Sequence, residues 1–98
     1  MSRDTNTYEA LLDRRRRIDG LDEELLRLIN ERATITSELA EVKQNLGRQV
    51  YDPQRERQIL SRICDENDGP LDRIGVVNIF CSIIRECRRV EEVRMMKV

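Results

Sequence analysis

Histidine and tryptophan are absent from this chain of 98 residues, and its aromatics stop at one phenylalanine and two tyrosines. That leaves one small domain without a large aromatic core. The three cysteines, Cys64, Cys81 and Cys87, are odd in number and nowhere spaced Cys-x-x-Cys. With no histidine beside them they fit neither a zinc centre nor a disulfide framework, so no metal is expected. No apolar run approaches the roughly 18 residues of a membrane span, and the polar start Met1-Ser2-Arg3-Asp4 lacks a signal-peptide core. A cytoplasmic protein with reduced thiols and no membrane association is the expectation. Domains this short bury only about 60–65% of their unfolded surface and often borrow stability from a metal, disulfides or a partner chain. With the first two set aside, oligomerisation remains.

An excess of either charge is also missing. The formal net charge is −1, with nine basic and ten acidic residues in positions 1–50 and nine of each in 51–98. No polyanion-binding field follows from that balance, and with so few aromatics to stack on bases, no nucleic acid is expected as a partner. What is present is arginine, which supplies all of the 18 basic residues except Lys43 and Lys97. This skew suits bidentate recognition of carboxylate or phosphate, although codon bias produces it too.

Glycine and proline are few, and they divide the chain into three helical pieces: one long, one short and one medium, all α. From about Tyr8 to Leu46 the apolar series Ile18, Leu21, Leu25, Leu28, Ile35, Leu39, Val42, Leu46 steps by three and four, a heptad seam interrupted once, at Arg32. A helix of about 38 residues is roughly 57 Å long, whereas a compact 98-residue monomer has a radius of gyration near 13 Å. An intertwined homodimer of long helices is therefore expected. Gly20 inside the helix marks close packing or is merely tolerated. Gly47 is placed to end the first helix. Asp52 then caps the second, with Pro53 at its first position and Ile59, Leu60 and Ile63 on its buried side. Residues 65–70 break it, and Asp72 caps a third helix with apolar Val76, Phe80, Ile83, Cys87 and Val90. Residues 8–92 form the domain, flanked by tails 1–7 and 93–98 that are expected to be partly disordered.

Arg32 is the most informative position, because a guanidinium in an apolar seam stays charged and is costly unless paired. It either pairs with Glu31 or Glu38, snorkels to the surface, or binds an anion. Lys43 follows eleven residues later, rotated by only about 20° and about 16 Å further along the axis, so two long cationic chains can converge in the gap. The run Arg14 to Arg17 reads as a solvated turn or a nucleic-acid patch. Arg15, about 25 Å along the axis from Arg32, could alternatively complete a site on an antiparallel partner. The second helix opens Asp52-Pro53-Gln54-Arg55-Glu56. Taken alone this is a cap with ordinary charge pairs, but in a pocket with Arg32 and Lys43 it offers Arg55 to a carboxylate and Glu56 to a hydroxyl. Cys87 and Glu91 share a face of the third helix. Their bland readings are a small buried hydrophobe and an exposed glutamate.

Leu21-Asp22-Glu23-Glu24-Leu25-Leu26, Asn30-Glu31-Arg32, Val42-Lys43 and Asp52-Pro53-Gln54-Arg55-Glu56, in this order and at these separations, resemble the all-helical (type II) chorismate mutases over about residues 8–92. The resemblance implies an isomerase that rearranges chorismate to prephenate, on the way to phenylalanine and tyrosine, without a cofactor. It implies three helices per chain, two interlocked chains and sites shared between them. By position, Arg15 matches the arginine lent across the dimer, and Arg32 and Arg55 those that grip the substrate carboxylates. Lys43 matches the lysine that donates to the ether oxygen and a carboxylate. Glu56 resembles the residue that binds the ring hydroxyl, and Asp52 the residue that opens that turn. Cys87 stands where many members have serine, and Glu91 where many have glutamine and some glutamate. Lys43 can always donate a hydrogen bond; Glu91 can do so only when protonated, so turnover is expected to fall as pH rises. The competing readings are a non-catalytic or regulatory helical dimerisation module of the same fold, and an isochorismate pyruvate-lyase.

Overall fold

A computed structural model describes residues 3–97, with side chains from Thr5 onward. It contains three helices, α1 (Arg3–Asn45), α2 (Pro53–Glu66) and α3 (Arg73–Lys97), and no strand among the described residues. The all-α, long–short–medium order expected from the sequence is the one observed. No helix among the described residues is long and apolar enough to cross a membrane. Helix covers 3–7 and 93–97, the described parts of the tails; residues 1, 2 and 98 lie outside the described residues.

The boundaries follow from local chemistry. Gly47 has φ +67°, a left-handed backbone that costs glycine little. It closes α1 with Gly47 N–H donating to the Gln44 carbonyl (3.1 Å) and Arg48 N–H to the Lys43 carbonyl (2.8 Å), the paired bonds of a Schellman turn. The Asp52 side chain accepts from Arg55 N–H at 3.1 Å, and Pro53 takes the position where no helical donor is lost. Asn67 ends α2: its N–H donates to the Ile63 carbonyl, its Oδ1 accepts from Gly69 N–H, and its Nδ2 donates to the Leu71 carbonyl. Asp72 then caps α3, accepting from Gly75 N–H at 2.7 Å.

Two compact units divide the chain between Glu31 and Arg32. The described part of the first is helix alone. Its polar side carries surface pairs, Arg27 with Glu24 (2.6 Å) and Glu31 (3.2 Å), and Arg14 with Asp13 (3.0 Å), while Ile18, Leu21, Leu25 and Leu28 are exposed. The second unit holds the end of α1 with α2 and α3. Its core is small: Ala40, Ile59, Val76, Ile84 and Cys87 are buried, together with the carboxylate of Glu91. Ile35, Leu39, Val42 and Leu46 continue the apolar series of α1 outside this core. On α3 the burial series runs Val76, Ile84, Cys87, Glu91. Val90, expected inside, is 39% exposed.

Candidate active site

All of the second unit's helices contribute to one cavity of about 250 Å³. The end of α1 supplies Arg32, Thr36 and Lys43 to its wall, and the connector supplies Val50. Asp52, Arg55 and Glu56 come from the cap and first turn of α2, and Arg88 and Glu91 from α3. Ile35, Leu39, Ile59 and Ile84 supply the apolar remainder. Six residues singled out in the sequence, Arg32, Lys43, Asp52, Arg55, Glu56 and Glu91, thus meet around one space. The eleven-residue interval between Arg32 and Lys43 does what helical periodicity requires of it, setting both on the cavity side of α1.

Lys43 Nζ donates to the Val50 carbonyl at 2.7 Å and lies 2.8 Å from Glu91 Oε1. This second contact is an ion pair that lacks hydrogen-bond alignment: Glu91 Oε1 is buried with no aligned donor among the described residues. An ammonium has three donors, and the Val50 carbonyl engages one of them in hydrogen-bond geometry, so Lys43 keeps donors for a ligand. The side chain of Glu91 is 4% exposed, and its charge is tolerable there because a cation stands beside it.

Arg32 is half-buried and makes no side-chain ion pair among the described residues. Glu31 is engaged by Arg27 and Glu38 is exposed, so neither structural pairing considered from the sequence is present. Arg55 is exposed, and its side chain likewise makes no ion pair among the described residues. Two guanidiniums therefore stand at the cavity with their donors unspent. Asp52 caps α2, and that cap fixes the turn from which Arg55 and Glu56 project.

Sequence reasoning does not single out Arg88. Its Nη1 lies 2.8 Å from Glu56 Oε2 and 3.1 Å from Oε1, and its guanidinium carbon is 4.7 Å from the centroid of the Tyr51 ring. The only available signal is its place one turn before Glu91 on α3. Cys87 is 2% exposed and is not part of the cavity wall: it turns into the core, the bland reading of a small buried hydrophobe. Arg15 lies in the first unit, where it is exposed.

The match extends beyond these residues. The family model described as chorismate mutase type II matches residues 14–92. A chorismate mutase from Methanocaldococcus jannaschii is 40% identical over 87 residues, covering 86% of this chain and 86% of that protein. A bifunctional chorismate mutase/prephenate dehydratase from Neisseria gonorrhoeae is 42% identical over 83 residues, 85% of this chain. The chain spans 22% of the length of that bifunctional relative. Among solved structures, the chorismate mutase of Helicobacter pylori in complex with prephenate superposes with a TM-score of 0.84 at 27% identity, covering 92% of this chain and 98% of that one. Form II of the chorismate mutase of Thermus thermophilus gives 0.82 at 30% identity, covering 85% and 94%. With its three-helix order, its cationic cavity and a family match over most of its length, this chain belongs to the type II chorismate mutase family.

Proposed function

We propose that this chain rearranges chorismate to prephenate by an intramolecular [3,3] shift, working in the cytoplasm as a homodimer in which each partner lends Arg15 to the other's site. Residues 8–92 form the catalytic domain in this reading. The observation that carries it is the pattern of charge matching in the cavity. Lys43 is matched by Glu91 and Arg88 by Glu56, while Arg32 and Arg55 have no ion-pair partner among the described residues. Two unengaged guanidiniums suit a substrate with two carboxylates, since a guanidinium fork recognises a carboxylate bidentately.

The chemistry asks little else of the protein. A [3,3] shift needs no nucleophile, but the substrate must be held in a compact diaxial conformer, and fixed arginines on both carboxylates supply that orientation. As the C–O bond breaks, negative charge grows on the ether oxygen. A donor already in place stabilises this charge more than it stabilises the ground state. A hydrogen of Lys43 not engaged by the Val50 carbonyl is suited to that oxygen, and so is Glu91 when it carries a proton. Glu56 is assigned the ring hydroxyl.

The dimer is supported by the exposed seam. Leu21, Leu25 and Leu28 in the first unit, and Ile35, Leu39 and Val42 in the second, are each 42–63% exposed, apolar positions that a second helix would cover in each unit.

The test is to follow the loss of chorismate absorbance with purified protein, to identify the product, and to run Arg32→Ala alongside. Prephenate formation abolished by the substitution is the expected result. A folded dimer without turnover would instead indicate the silent dimerisation module, and release of pyruvate from isochorismate would indicate the lyase.

A further inference from the structure

Four cations face the cavity, and Arg88 differs from Arg32 and Arg55 in being spoken for. A single nitrogen, Nη1, lies 2.8 Å from one Glu56 oxygen and 3.1 Å from the other. A donor almost equidistant from both oxygens sits between them and engages their inner lone pairs, which leaves the outer lone pairs of the carboxylate available. Behind it, the guanidinium rests 4.7 Å from the centroid of the Tyr51 ring, a cation–π contact that restrains a side chain with many rotamers. Glu56 and Arg88 are both about three-quarters buried, with side-chain exposures of 25% and 27%. In such a setting a charge-assisted bond is worth more than at an open surface.

We propose that Arg88 is a positioning residue: braced on Tyr51, it holds the Glu56 carboxylate from the inside so that its outer lone pairs accept the ring hydroxyl of the substrate. This rests on the mutase reading above. Arg88 acts through Glu56 and leaves the substrate carboxylates to Arg32 and Arg55. The hydroxyl contact is remote from the bond that breaks, so it serves ground state and transition state alike, and its loss falls on KM more than on kcat.

The test is a double-mutant cycle. Steady-state kcat and KM for chorismate are measured for the wild type, Arg88→Met, Glu56→Gln and the pair, with Arg88→Lys as the conservative variant and helicity checked for each. Loss of one charge-assisted hydrogen bond predicts a KM about 10- to 100-fold higher in Arg88→Met, with kcat little changed. The double variant should be no worse than Glu56→Gln alone, because the two residues act as one unit, and Arg88→Lys should recover most of the loss. If Arg88→Met does not fold, Arg88→Gln takes its place in the cycle. Multiplicative effects in the double variant, an unchanged KM, or a loss confined to kcat would each overturn the inference while leaving the mutase reading intact. A wild type that does not turn over chorismate would overturn both.

Discussion

Lys43 stands 2.8 Å from Glu91, joining the last turns of α1 to α3, and the same ammonium reaches back to the Val50 carbonyl at 2.7 Å. One side chain thus ties two helices and a connector around the cavity, and the bond that anchors it also aims it.

Glu91 serves as counter-ion to Lys43 when ionised and as a hydrogen-bond donor only when protonated. On the proposed mechanism Glu91→Gln, whose amide is always a donor, turns over chorismate at least as fast as the wild type at pH 7.5. Initial rates of chorismate loss for the two proteins decide the matter; a Glu91→Gln variant that lost most of its rate would show that the reaction uses the Glu91 carboxylate and not a donor at that position.

The buried pair separates stability from activity. Lys43→Met leaves the Glu91 charge in the core without its partner and should cost about 3 kcal/mol in urea unfolding. Lys43→Met combined with Glu91→Leu removes both charges and should recover most of that stability. Both variants should lack the rate supplied by the ether-oxygen donor. A double variant as unstable as the single one would show that the charge pair itself is not what holds α1 to α3.

On sequence grounds Cys87→Ser is a mild change that restores the hydroxyl usual in the family. Its burial away from the cavity wall alters the expectation. The hydroxyl would be buried in the core with the Ile83 carbonyl, one turn back, as its nearest candidate acceptor. A loss of about 1 kcal/mol in thermal unfolding is expected, with kcat/KM unchanged. A changed kcat/KM would bring residue 87 back to the site.

Gly20 has nothing within 4 Å of where a Cβ would stand. With respect to its own chain, Gly20→Ala should stabilise the helix by up to about 1 kcal/mol. The measurement is the unfolding midpoint over a range of protein concentrations, since a dimer makes stability depend on concentration. Destabilisation that is worst at high concentration would mean that a second chain packs against Gly20.

What can be read in the sequence is whatever is settled within a turn or two of helix. Asp52-Pro53, Gly47 and Asp72 announce helix ends because a cap is a contact across three or four residues. The spacing of Arg32 and Lys43, about three turns, is legible for another reason, the periodicity of one unbroken helix. Arg88 is not legible: its partner Glu56 is 32 positions away, and no local pattern marks such a pair. On α3 the apolar series points to Val90, yet Glu91 is buried instead, because an ammonium from α1 compensates a charge that hydrophobic counting would leave outside. Helix α1 begins before Tyr8 and α3 runs past Glu92, because residues 3–7 and 93–97 contain no glycine or proline that would break a helix.

Surface loops usually accept insertions more readily than any other part of a protein. The stretch between Leu46 and Asp52 should be an exception. The left-handed turn at Gly47 sets where the chain emerges from α1, and the Val50 carbonyl must then arrive beside the ammonium of a residue seven positions earlier. One residue more would carry that carbonyl past Lys43 and slide the cap of α2 with it, so the length of this connector works as a ruler for the cavity.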